Sequence, residues 1–331
     1  MKIKSLQIKN FKSIEDLVLI EPNPFSVFVG PNGAGKSNIF EALEFVSFLY
    51  VFTPEVSLNF FGEPQDYLKK ESFSFKLGTE NSEPLEVQLT PTWDHGILKS
   101  IQFKNDYGST NTDQTIKLAL SPYLEFVKKF QKVFLANRKK GRPNINMRNE
   151  AVSVDGSNLE RVLKRVFQDT TLKEEITEWL KILIPEFKDI EIRSSDLSGE
   201  ISFVIFEKST NTPFAKHLIS DGTQNILTLL TAVYQSNEPQ FLCIEEPENG
   251  LHPLVIKELV NLFRTACEEK GHYIWLNTHS ETLVRQLRPE ELILVDKRNG
   301  ATQVKQLKGF DTFGLELDEA WLTNALNGGV I

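Results

Sequence analysis

One eight-residue stretch restricts this chain more than any other: Gly30-Pro31-Asn32-Gly33-Ala34-Gly35-Lys36-Ser37. The apolar run before it, Phe25 to Val29, reads as a buried strand closed by Gly30; after it, Ile39, Leu43, Val46 and Leu49 fall at helical spacing. Glycines at 30, 33 and 35 let the backbone wrap tightly, so that consecutive N–H groups converge as an anion nest. A helix starting near Lys36 aims its positive end at the same point. The pattern G-x-x-x-x-G-K-[ST] between strand and helix therefore cradles phosphates, with Lys36 placed to bridge the β- and γ-phosphates and Ser37 to ligate Mg²⁺. Asn32, Gly33, Ala34, Gly35, Lys36, Ser37 and Asn38 are the candidate nucleotide contacts, with ATP and Mg²⁺ as the implied cofactors.

The rest of the chain supplies a setting for such a loop. Strands are expected at 3–8, 17–20 and 25–29, and three alternating stretches at 72–77, 85–89 and 98–103 predict an antiparallel sheet. The polar run 106–113 reads as a loop. Helices are expected near 120–131, 157–168 and 171–184, with a short strand at 133–136. Thereafter strands at 201–206, 241–244 and 273–276 alternate with helices at 222–234, 254–268 and 281–286, before a hairpin at 292–295 and 302–306. That alternation predicts an α/β fold with a mainly parallel core, an antiparallel β lobe and a helical insert at approximately 110–200, all in a single domain, 1–331.

A second element carries acids. Phe241-Leu242-Cys243-Ile244-Glu245-Glu246 is an apolar strand ending in two carboxylates, at the strand edge where ligands bind in open α/β sheets. One acid can hold Mg²⁺ and the other can orient or deprotonate an attacking water. Asp221 with Gln224 fits a capping box, so a helix is expected to start there.

These segments resemble a known family. Glu245-Glu246-Pro247-Glu248-Asn249-Gly250-Leu251-His252-Pro253 is similar to the signature of the OLD- and RecF-like branch of ABC-type ATPases, relatives of SMC heads. Ile8-Lys9-Asn10-Phe11-Lys12-Ser13, Ser220-Asp221-Gly222-Thr223 and Asn277-Thr278-His279-Ser280 resemble that branch's entry strand, cassette signature and switch, in the family's order. The resemblance implies an ABC-type P-loop ATPase head that hydrolyses ATP within a homodimer sandwiching the nucleotide. It implies Glu245 as the Mg²⁺-linked acid, Glu246 as the residue polarising water and His279 as a γ-phosphate contact. Ser220 and Gly222 would face the partner's γ-phosphate, and Glu248–His252 would run along the dimer interface. Lys12 or Ser13 would reach the nucleotide, His252 fits equally a helix cap, and Gln65 and Gln131 both remain candidates for the family's Q-loop glutamine. No metal set of a C-terminal nuclease follows His279, so an effector is expected to be a separate protein.

Charge and composition narrow the partners. At a net charge of −8 the chain is not built to coat nucleic acid. Residues 126–149 nevertheless hold no acid and carry Lys128, Lys129, Lys132, Arg138, Lys139, Lys140, Arg142 and Arg148. This segment, 128–148, is either a DNA or RNA phosphate contact or a solvated helix end and loop. Cys243 and Cys267 form no disulfide framework, and no apolar run is long enough for a membrane span or a signal peptide, so a cytoplasmic protein is expected. Two functions fit: an ATPase coupled to nucleic-acid processing in repair or anti-phage defence, or a slow ATP switch that holds a separate effector protein.

Overall fold

The computed structural model describes residues 2–51, 61, 68, 72–80, 82–94, 97–105, 108–110, 130–134, 151–194, 200–312 and 314–329. The chain divides into two compact units, Met1–Lys132 with Trp275–Ile331, and Val133–Ile274.

The first unit contains an antiparallel sheet in the order β2-β1-β4-β5-β6-β7. Its strands are β1 (Ile3–Phe11), β2 (Ile14–Ile20), β4 (Phe73–Thr79), β5 (Ser82–Asp94), β6 (Ile97–Asn105) and β7 (Gly108–Thr110). Simple alternation fails in β1, where Ile3, Leu6, Ile8 and Phe11 are all buried. A register shift between Ile3 and Ser5 and the left-handed Asn10 (φ 57°) each reset the face, so all four side chains reach the core. The edge strand β2 is closed at Ile20 by a side chain. Gln306 Oε1 accepts from the Ile20 N–H at 2.8 Å, and its Nε2 donates to the Ile20 carbonyl at 2.9 Å.

The unit's other strands run in the order β15-β14-β3-β13: β15 (Ala301–Gln306), β14 (Leu292–Arg298), β3 (Phe25–Val29) and β13 (Tyr273–Thr278), of which Trp275–Thr278 belong here. β14 pairs parallel with β3 and antiparallel with β15. All five residues of β3 are buried, as in a strand covered on both faces of a parallel sheet, and its one polar side chain, Ser26, donates to the Asn23 carbonyl at 2.7 Å. The helix Lys36–Val51 follows it. Besides Ile39, Leu43, Val46 and Leu49 it buries Phe40, Phe45 and Phe48, so it is a core helix rather than one with a single apolar face. Phe45 and Phe48 join Phe11, Phe61 and Phe73 in an aromatic cluster of edge-to-face and tilted pairs with centroids 5.4–6.5 Å apart.

Two expectations near residue 130 are corrected. The strand lies at Phe130–Phe134 (β8), so the last two residues of the helix expected at 120–131 are extended. Lys132 is no surface cation: it is buried and pairs with the buried Glu44 at 3.5 Å. The other basic residues of 128–148, the rest of that helix and Gln65 lie outside the described residues.

The second unit contains the helices Leu159–Val166 and Thr170–Leu183, then a three-stranded antiparallel sheet, β11-β10-β9, from Phe187–Ser194 (β9), Ile201–Glu207 (β10) and Phe214–Ala215 (β11). Then come the helix Asp221–Tyr234, the strand Phe241–Glu245 (β12) and the helix Pro253–Lys270. His252 caps this last helix by accepting from the Leu254 N–H at 3.3 Å, Pro253 opens it, and left-handed Gly271 (φ 68°) ends it.

Beyond Gly271 a buried polar chain ties the unit together. His272 Nδ1 accepts from the Gln240 N–H at 3.1 Å, which leaves Nε2 as the protonated nitrogen facing the Val233 carbonyl at 3.1 Å. Gln235 donates to the Gln240 side chain at 2.8 Å and accepts from the Val152 N–H at 2.8 Å. Burial pushes the His272 pKa down to about 4; Lys270 acts in the same direction, and the bond to Val233 opposes it.

Candidate phosphate-binding site

In the first unit the loop's glycines have separate reasons. Gly33 and Gly35 have φ of 79° and 99°, which L-residues rarely adopt. A Cβ on Gly33 would meet nothing within 4 Å, so only the backbone angle demands glycine there. A Cβ on Gly35 would lie 2.0 Å from Thr302 Oγ1, and one on Gly30 would lie 2.0 Å from the Val295 carbonyl. The second clash follows from the parallel pairing that sets Leu294 beside Val29.

The side chains that follow turn back onto this loop. Lys36 is 8% exposed and donates to the carbonyls of Gly30 at 2.6 Å and Pro31 at 3.0 Å. From buried β13, Asn277 Nδ2 reaches Ser37 Oγ at 3.4 Å. Asn38 donates its side-chain amide to Ser13 Oγ at 2.7 Å and its N–H to the Gly35 carbonyl at 3.0 Å. Lys12 pairs with Glu41 of the helix Lys36–Val51. His279 is exposed and follows buried Thr278, whose Oγ1 accepts from the Ser280 N–H at 2.9 Å. Residues 30–34 and His279 line a cavity of about 950 Å³, together with Asp296, Arg298 and Trp321 among others. Exposed Asn32 and Gly33 open onto it.

The second unit brings its own candidates together. Ser220, not Asp221, caps the helix Asp221–Tyr234: Ser220 Oγ accepts from the Thr223 N–H at 3.2 Å. Asp221 is exposed, and the Gln224 amide donates to the carbonyls of Lys216 and Ile219, so the expected capping box is absent. Glu245 is buried at the end of β12. Glu246 takes a left-handed backbone (φ 48°), uncommon for a residue with a side chain, and its Oε2 accepts from Asn249 Nδ2 at 2.9 Å. Asn225 donates to the Asn249 carbonyl at 3.2 Å. A Cβ on Gly222 would lie 2.7 Å from the Gly250 carbonyl, so the helix start and the turn after Glu246 touch where only a glycine fits.

Sequence reasoning missed Thr302 and Asn225 as parts of these clusters, and gave Asn249 a place in the Glu248–His252 segment but no contact with Glu246. No local signal marks Thr302; the two asparagines stand inside or beside quoted motifs and could have been found there.

A family described as "AAA domain, putative AbiEii toxin, Type IV TA system" matches residues 25–285. DNA replication and repair protein RecF of Lactococcus lactis subsp. lactis is 34% identical over 92 residues, 28% of this chain and 25% of that protein. The OLD nuclease of Thermus scotoductus is 33% identical over 102 residues, 31% of this chain and 17% of that one. The chain thus spans a quarter or less of either relative's length. An ATP/GTP phosphatase of Helicobacter pylori is 21% identical over 332 residues, 86% of this chain and 87% of that one. An SMC head solved with the C-terminal winged-helix domain of ScpA has a TM-score of 0.65 at 16% identity, covering 92% of this chain and 97% of that one, a likeness of fold. The mixed α/β fold, with its parallel core strands and antiparallel lobe, is similar to that of an SMC head. Over short stretches the chain is thus similar to RecF and OLD proteins, and it belongs to the AAA family whose model spans residues 25–285.

Proposed function

We propose that the chain binds ATP with Mg²⁺ and hydrolyses it, two copies completing each other's site, and that this cycle serves nucleic-acid processing in repair or anti-phage defence. The observation that carries the proposal is the loop itself: a buried strand, two left-handed glycines and a helix that begins with Lys36 and Ser37. Open space at Gly33 and the adjoining cavity fit a polyphosphate. In this reading the N–H groups of Asn32 to Ser37 surround the phosphates. Lys36 would exchange its two carbonyl partners for phosphate oxygens, and the Ser37 hydroxyl would help hold Mg²⁺, which would supply charge stabilisation to the phosphoryl group. His279 contacts the γ-phosphate.

The roles of the second unit rest on the sequence resemblance. Glu245 is offered to the metal, and Glu246 takes the proton of the attacking water. Ser220 and Gly222 donate to the phosphate of a second copy. Glu246 is already held by Asn249, as a base that must keep one orientation would be.

The test is equilibrium binding and turnover on three chains. Wild type should bind ATP, Lys36→Ala should not, and Glu246→Gln should bind ATP but turn it over at least about a hundred-fold more slowly. The Glu246→Gln chain should also sediment as an ATP-dependent dimer. Micromolar binding by Lys36→Ala would remove the phosphate-loop reading, and wild-type turnover by Glu246→Gln would remove that residue's role.

A second reading, a slow ATP switch that holds an effector protein, draws support from the SMC head solved with a ScpA domain bound. DNA-stimulated turnover favours the first reading; slow turnover indifferent to DNA, with a protein bound, favours the second. Replacing Arg138, Lys139, Lys140 and Arg142 by alanine should weaken DNA binding and flatten its salt dependence if the basic segment is the contact.

A further inference from the structure

The β14–β15 hairpin touches the phosphate loop at two points, and the second is a chain of hydrogen bonds. Thr302 is 1% exposed, and its Oγ1 donates to the Ala34 carbonyl at 3.0 Å. Ser13 Oγ and Thr302 Oγ1 lie 2.6 Å apart. A hydroxyl has one proton, and that of Thr302 is committed to Ala34, so Ser13 donates to Thr302. Asn38 Nδ2 in turn donates to Ser13 Oγ at 2.7 Å, and the Thr302 N–H donates to the Ser13 carbonyl at 2.8 Å. The proton order therefore runs Asn38 to Ser13 to Thr302 to Ala34. It leaves the loop at its helix end and returns to it on the other side of Gly35.

Pinning the Ala34 carbonyl fixes more than that oxygen. The same trans peptide carries the Gly35 N–H, which points opposite to the carbonyl. With the carbonyl held against Thr302, the Gly35 N–H must face away from the hairpin. Gly35 cannot relieve the contact by moving closer, because its Cβ position is already filled by Thr302 Oγ1.

We propose that Thr302 is a positioning residue for nucleotide binding: through Ser13, Asn38 and the Ala34 carbonyl it presets the Gly35 N–H as a phosphate donor. The inference rests on the reading of Gly30–Ser37 as an ATP site. The test is calorimetric titration of the full chain with ATP in the presence of Mg²⁺, well below the unfolding midpoint. Thr302→Val removes the hydroxyl and keeps the shape; it should raise Kd at least about ten-fold. Thr302→Ser, which keeps the hydroxyl, should stay within about three-fold of wild type. Thr302→Val combined with Ser13→Ala should cost little more than Thr302→Val alone, because both break one chain. Should Thr302→Val fail to fold, Ser13→Ala alone reads the same chain. Wild-type Kd in Thr302→Val, or in Ser13→Ala where that stands in, overturns the Thr302 assignment and leaves the ATP site intact. Absence of ATP binding in the wild type overturns both.

Discussion

Gly33 and Gly35 sit two residues apart with similar backbone angles, yet a methyl group should cost them differently. At Gly33 only the left-handed angle resists (φ 79°), with open space beyond. Gly33→Ala should therefore lose about 1–2 kcal/mol of stability. At Gly35 the angle is joined by a clash with Thr302, so Gly35→Ala should lose at least about 1 kcal/mol more and bind ATP poorly. Denaturant unfolding and ATP titration check both, and equal losses would deny the clash. That this loop needs glycines for a tight backbone wrap was legible from the motif. That Gly30 and Gly35 also need glycine was not, because Val295 and Thr302 stand more than 260 positions downstream. The cap at Ser220 was misplaced onto Asp221 by one residue for a related reason: both types cap well, and only the backbone turn decides between them.

Helix starts give a second set of expectations. Ser220→Ala removes the cap of the helix Asp221–Tyr234 and should cost about 1 kcal/mol. Ser220→Asp keeps a good capping group, so its stability should match wild type within about 0.5 kcal/mol. If Ser220 faces a phosphate, the same aspartate should abolish turnover by like-charge repulsion. A stable and fully active Ser220→Asp chain would leave Ser220 a cap and nothing else.

Most elements were legible because their periodicity is local, including the antiparallel strands, the alternation from 201 onward and the closing hairpin. The strand Phe187–Ser194 was missed. Only Phe187 and Ile190 are buried, and Lys188, Asp189, Glu191 and Arg193 hide the alternation. It is a strand because β10 pairs with it from Ser194↔Ile201 to Phe187↔Glu207, information held in another segment. Near residue 130 the apolar Phe130, Val133 and Phe134 did not reveal that Lys132 would be drawn inside by Glu44 of a distant helix.

At the scale of the whole molecule, stability should respond to pH through a residue that has no part in the proposed chemistry. His272 has a folded pKa of about 4 against an ordinary 6.5. Between those values the unfolded chain binds a proton that the folded chain refuses. Its contribution is therefore complete above pH 6.5 and is lost progressively as pH falls toward 4, by up to about 3 kcal/mol. Urea unfolding at pH 7, 5.5 and 4 should register that slope. His272→Asn, whose Oδ1 can still accept from Gln240, should be less stable at pH 7 but flatter across the range. An unchanged slope would place the acid sensitivity elsewhere. No helix among the described residues is long and apolar enough to cross a membrane.

The Gln306 side chain on Ile20 bears on how copies of this chain can meet. A sheet edge with free N–H and C=O groups invites a neighbour to add a strand. At Ile20 both groups are already taken by one amide, which stands in the place of an added strand. Val18 and Ile20 nonetheless point apolar side chains outward from that strand. A second molecule can use those side chains as a surface, but it cannot extend the ladder through Ile20 without first displacing Gln306. Gln306→Ala would unlock that edge, and strand-wise association would then have a place to begin.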